Sequence, residues 1–170
     1  MSMSGNICYT GCLLSVICLL AIAEGSVVIN EFELNPPSDQ PYAVEWIELF
    51  NSGDEDVDIG GWQAVVISTV PGETGALFPW SGTITVPVGT VLKAGDYRVL
   101  TGDQRWDHGL NATVILYDQV GNEVDRTPML MDEREDGSDW SRYPNGVDTD
   151  RTADWAYIPS TRGKPNVLPY

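Results

Sequence analysis

The 170-residue chain is 42% apolar, enough for one ordinary domain with a core and too short for two. Its 25 acidic residues against nine basic ones give a formal charge of −16. That sign repels phosphate backbones and anionic headgroups, so nucleic acid is excluded as the expected partner and cations are favoured.

No charged side chain occurs before Glu24. Cys12–Ala23 is an apolar run of twelve, too short to span a bilayer at about 20 residues but suited to a signal-peptide core. It ends in Ala21-Ile22-Ala23, a small-x-small site, which predicts a cleavable signal helix over 1–23 and a domain over 24–170. The missing Lys or Arg ahead of the run departs from the usual pattern. Export to the medium or cell surface is expected, with no membrane insertion after cleavage. Cys8, Cys12 and Cys18 all precede the cleavage site, so the mature chain carries no cysteine. Disulfides, thiol catalysis and Cys-based zinc sites are thereby excluded from it.

The remainder reads as β-structure. Seventeen glycines and eleven prolines are spread along the chain and punctuate short runs. Val27–Leu34 is β-branched and stops at Asn35-Pro36-Pro37; Glu45–Asn51 is a second strand, ended by Ser52-Gly53-Asp54. Trp62–Ile67 follows Gly60-Gly61, and Thr83–Val86 alternates polar with apolar. Asp96–Leu100 comes next, then a hairpin of Thr113–Tyr117 and Asn122–Asp125 around Gly121. Asp132–Asp139 has no apolar periodicity and is expected to be a solvated loop. Trp140–Pro144 and Trp155–Ile158 close the chain, and the tryptophans read as packing residues.

Candidate chemistry is sparse. Asp54, Asp56 and Asp58 alternate as in calcium loops, but Ile59 and Val65 stand where an EF-hand needs Gly and Glu. A looser calcium site on these acids, or on Asp148, Asp150 and Asp154, is the one cofactor kept open. His108, the lone histidine, lies in a turn-like context without a nucleophile elbow, so neither a triad nor a catalytic zinc site is expected. Asn111-Ala112-Thr113 is a glycosylation sequon before a strand.

Six segments, in order, carry a family resemblance. Val28-Ile29-Asn30-Glu31-Phe32 and Glu45-Trp46-Ile47-Glu48-Leu49-Phe50-Asn51 resemble the opening of the lamin tail domain family. Asp58-Ile59-Gly60-Gly61-Trp62 and Leu92-Lys93-Ala94-Gly95-Asp96-Tyr97 are similar to its strand entries. Asp139-Trp140-Ser141-Arg142-Tyr143-Pro144-Asn145-Gly146 and Ser160–Asn166 resemble its closing motifs, with Arg162 where proline is usual. The resemblance runs from about Val27 to Asn166 and implies an immunoglobulin-like β-sandwich. The Asn35-Pro36-Pro37 insertion is most similar to secreted archaeal and bacterial members. Chromatin binding, the role in nuclear lamins, is not expected at this charge.

In such a sandwich, alternation puts Ile47 and Leu49 on one face and Trp46, Glu48 and Phe50 on the other. A buried Glu48 then needs a partner, Arg142 or backbone N–H groups. The expectation is an all-β, non-catalytic extracellular module that contacts protein or glycan. A calcium-stabilised adhesion module and a secreted hydrolase or hydrolase accessory domain are the alternatives; the sequence carries no indication of oligomeric state.

Overall fold

A computed structural model describes residues 27–39, 44–103 and 111–170. The signal segment with its three cysteines, and His108, lie outside these residues. Among the described residues, twelve strands are present: β1 (Val27–Glu33), β2 (Trp46–Asn51), β3 (Val57–Asp58), β4 (Gln63–Pro71), β5 (Leu77–Thr85), β6 (Val91–Leu92), β7 (Tyr97–Thr101), β8 (Asn111–Tyr117), β9 (Glu123–Arg126), β10 (Leu130–Met131), β11 (Ser138–Arg142) and β12 (Trp155–Pro159). A 3-10 turn, Thr152–Asp154, precedes the last of them.

The first sheet is antiparallel, in the order β12-β11-β1-β2-β7. The second runs β10-β8-β4-β5, with β9 following β10 along the same edge of β8. β3 and β6 form a separate two-stranded ribbon. The two sheets face each other across one apolar core. Ile29, Phe32, Ile47 and Leu49 enter it from the first, and Ala64, Val66, Val114 and Leu116 from the second. Each set is spaced by two within its strand, as the pleat requires.

One exception to that spacing organises the molecule. Ile29 and Phe32 are three apart, yet both are fully buried in the core. The ladder between β1 and β2 shifts after Ile29↔Leu49 to Glu31↔Glu48, leaving Asn30 as the extra residue of a β-bulge. The bulge resets the phase of β1. Val27 and Ile29 point inward before it, Phe32 and Leu34 after it.

The chain between strands is also constrained. Gly61 has φ +81°, and a Cβ on Gly60 would meet the Gly89 nitrogen at 2.7 Å. This is the physical content of the Gly-Gly-Trp motif: only glycine fits both positions, and Trp62 then packs partly buried on the core.

Most expected strands form, with shifted ends. β4 and β5 are longer than expected, because their pairing continues through Pro71↔Leu77 beyond the part that β8 supports. The expectation of a solvated loop over Asp132–Asp139 holds for the exposed residues 133–136 and is corrected at both ends. Both named ends are buried, and Ser138 already begins β11. Acidic composition concealed these positions, because each aspartate is sealed against other protein groups.

Candidate functional site

The side of the first sheet that faces away from the core is covered by a C-terminal strap. Glu31 accepts hydrogen bonds from the Thr161 amide at 2.6 Å and hydroxyl at 3.1 Å. Glu48 accepts from the Gly163 amide at 2.5 Å and the Asn30 side chain at 3.2 Å. Asn166 donates to the carbonyls of Asn30 at 3.0 Å and Arg142 at 2.9 Å. Asn145 joins the two layers, accepting from Asn30 and from the Asn166 amide. Trp46 lies beneath Arg162, whose guanidinium is 5.0 Å from the ring. Glu48 is thus held by a backbone amide and Asn30. Arg142, the other expected partner, is engaged elsewhere.

Arg142 is the largest fully buried side chain, 1% exposed. Its Nη2 meets Asp125 at 3.1 Å, its Nη1 meets Asp148 at 2.7 Å, and Trp155 lies 4.7 Å under the guanidinium. Its Nε donates to the Ile29 carbonyl at 2.9 Å, while Asp125 accepts from the Ile29 amide at 2.6 Å. β11 pairs with β1 only at Glu31 and Phe32. At Ile29 the two ionic side chains therefore take the place of a neighbouring strand. Because Arg142 belongs to the first sheet and Asp125 to the second, the pair also staples the sandwich. Burial raises the Asp125 pKa, opposed by the Arg142 charge and the Ile29 amide.

Two further contacts join acid to acid. The Oδ2 atoms of Asp132 and Asp139 are buried with no hydrogen-bond donor. Asp139 lies against Glu31, and Asp132 against Glu33. Burial, and then the Glu31 charge, push Asp139 up to about 9. Burial, with Asp132 adding to it, pushes Glu33 up to about 8. Each pair therefore holds a proton at neutral pH, and the protonated acid donates to its neighbour, which accounts for the two orphaned oxygens. Burial also raises Glu48, to about 7.

The remaining motif residues are structural too. Asn51 donates to the carbonyls of Glu55 at 2.8 Å and Leu92 at 3.1 Å, fixing the end of β2 to β6. Gly95, at φ +74°, donates its amide to the Asn51 carbonyl. Trp140 donates to the Met131 carbonyl and meets Tyr157 edge-on at 5.3 Å.

Of the calcium candidates, Asp56 is bonded to Lys93 at 2.5 Å and Asp58 caps the Gly60 amide. Asp148 serves Arg142, and Asp154 accepts from Thr149 and Arg151. Among the described residues, no three His, Cys, Asp or Glu side chains form a group that could hold a metal ion. Chelation with EDTA is therefore expected to leave the melting midpoint unchanged; a drop that calcium restores would locate a cation in the fold. Asn111 starts β8, partly exposed, its side-chain amide donating to the Met129 sulfur at 3.5 Å and accepting from the Thr69 hydroxyl at 3.5 Å.

Charge in the second sheet is confined to β9, which carries Glu123, Asp125 and Arg126. β4, β5, β8 and β10 contain no charged residue, and between Asp58 and Lys93 the chain carries only Glu73. Sequence reading overlooked this contrast, together with the buried Glu33, Asp125, Asp132, Asp139 and Asn166. The uncharged stretch was visible as a composition shift; the burial of the acids had no local signal.

Two antiparallel sheets packed face to face, with a cross-sheet ionic staple and a strapped outer face, define an immunoglobulin-like β-sandwich. The chain matches the Lamin Tail Domain family over residues 21–129, and it belongs to that family. No curated protein matches the chain by sequence. The Asp139–Gly146 and Ser160–Asn166 motifs lie beyond the matched interval, and their bonding to β1 and β2 ties them to the same fold.

Proposed function

We propose that the protein is exported and works outside the cell as a non-catalytic module that holds a partner protein. The secreted prokaryotic type of lamin tail domain is the fitting subgroup. One observation carries the reading: in an acidic chain the strands β4, β5 and β8 carry no charge, and the charged residues of the second sheet are confined to β9 on the edge away from β5. Charge around a neutral contact patch keeps an unbound module soluble and leaves the patch cheap to desolvate. The buried carboxylates and Arg142 are committed to hydrogen bonds that hold the strands together, which supports a structural role for them over a catalytic one. Fold alone does not decide this, since one architecture serves many functions.

The test is fractionation of the native host with N-terminal sequencing. The mature protein is expected to start at Glu24 and to be recovered with the envelope or the medium. Purified protein is expected to turn over no glycan, ester or phosphodiester substrate. Turnover abolished by one carboxylate substitution would overturn the reading.

A further inference from the structure

The uncharged strands β4 and β5 end the second sheet in an open edge. Among the described residues, β5 is the terminal strand of the second sheet, nine residues long and paired only with β4. It is the longest edge strand among the described residues. Exposed edges are usually blunted by charge, especially lysine, or by proline; β5 has no charge, and its one proline, Pro79, leaves the stretch from Ser81 to Thr85 unblunted. The backbone direction along it follows from Val86, whose amide and carbonyl bond to Trp62 and Gly61 on the β4 side. By the period of two, Leu77, Pro79, Ser81, Thr83 and Thr85 turn their backbone groups to the open edge. Pro79 falls in this set, so its missing N–H removes nothing from the ladder with β4.

The surroundings select the occupant. Glu73 stands in the turn that opens β5, and Asp58 and Gly89 both close on Gly60 beyond its far end. A strand lying along β5 would meet neutral side chains in the middle and acids at both ends. A second copy fits poorly: three strands of this length offer roughly 450 Å² per face. Two stacked faces would bury roughly 900 Å², short of the about 1,200 Å² of a stable interface. A glycan fits poorly as well, since Tyr117 is the only aromatic ring among the outward positions of β4, β5 and β8.

We propose that the open edge of β5 takes up an extended, uncharged strand of a partner protein flanked by lysine or arginine, extending the second sheet by strand addition. This rests on the binding role above and names its mode.

The probe is a synthetic peptide of alternating threonine and valine with lysine pairs at both ends, compared with the same peptide ended by glutamate pairs. Amide exchange of the full mature chain is the readout. The lysine-ended peptide is expected to slow exchange at Ser81, Thr83 and Thr85 by about tenfold, with the effect lost at high salt. The glutamate-ended peptide leaves those amides unchanged. Ser81→Lys and Thr83→Pro, each verified as folded by its melting midpoint, abolish the protection. No slowing, equal slowing by both peptides, or protection at other strands sinks strand addition. Amides already protected in the free protein, with dimers in sedimentation, assign the edge to a second copy and sink it too. Envelope retention without peptide protection leaves the binding module standing and removes only this mode.

Discussion

Arg142→Ala is expected to destabilise the domain by about 4 kcal/mol, the scale of removing one partner from a buried ion pair. At this chain length the melting midpoint falls by roughly 10–15 °C. The loss has three sources. The substitution leaves Asp125 buried and charged without its counterion, at 1% side-chain exposure. It removes the donor to the Ile29 carbonyl, which β11 is too short to replace. It also empties the space over Trp155. Arg142→Lys recovers little, because one ammonium cannot reach Ile29, Asp125 and Asp148 together as the planar fork does. Combining Arg142→Met with Asp125→Leu is expected to recover at least half of the loss, since paired apolar replacement removes the stranded charge. Urea unfolding of the single and double variants measures this. A single-variant effect below about 1 kcal/mol would show that the staple is dispensable.

The second large effect is on pH dependence. Asp139, Glu33 and Glu48 all have pKa values raised by burial, to about 9, about 8 and about 7. Between ordinary carboxylate values and these raised ones, the folded state binds more protons than the unfolded state. Unfolding free energy therefore falls as pH rises, by up to about 1.4 kcal/mol per unit for each group. Their stabilisation is complete below about pH 4 and disappears as pH passes through 7 to 9. Exposed acids with lowered values, such as Asp118 and Glu123, act in the opposite direction at the acid end. The melting midpoint is expected to peak in the mildly acidic range and to decline steadily toward pH 9. Asp139→Asn, which resembles the protonated acid, flattens the decline and raises stability at pH 9 on the order of 1–2 kcal/mol. Glu33→Gln does the same over a range centred about one unit lower. A midpoint that rises from pH 6 to 9 would mean that neither pair carries a proton.

Much of the architecture is legible in sequence because strand alternation and turn chemistry are local properties. Ile47 and Leu49 read as core from spacing alone and lie in the core. Glu48 reads as buried from its place between Trp46 and Phe50, and it is. Which group would neutralise it was not legible. The Gly163 amide reaches Glu48 from 115 positions away, and Arg142 is drawn instead to Asp125 and Ile29. The acids of 132–139 show the same limit. An aspartate in a run of charged residues looks solvated until the fold sets Glu31 or Glu33 against it. The Asn30 bulge was hidden too, because a strand with one extra residue looks like an ordinary apolar run.

The interval that matches the family, 21–129, supplies β1, β2 and β7 to the first sheet. β11 and β12 come from 138–159, and the residues that cover Glu31 and Glu48 come from 160–166. Anyone excising this unit for expression should therefore cut after Asn166. A fragment trimmed to residues 21–129 would expose an unmatched strand margin and strip both glutamates of their donors, making an insoluble product the expected yield.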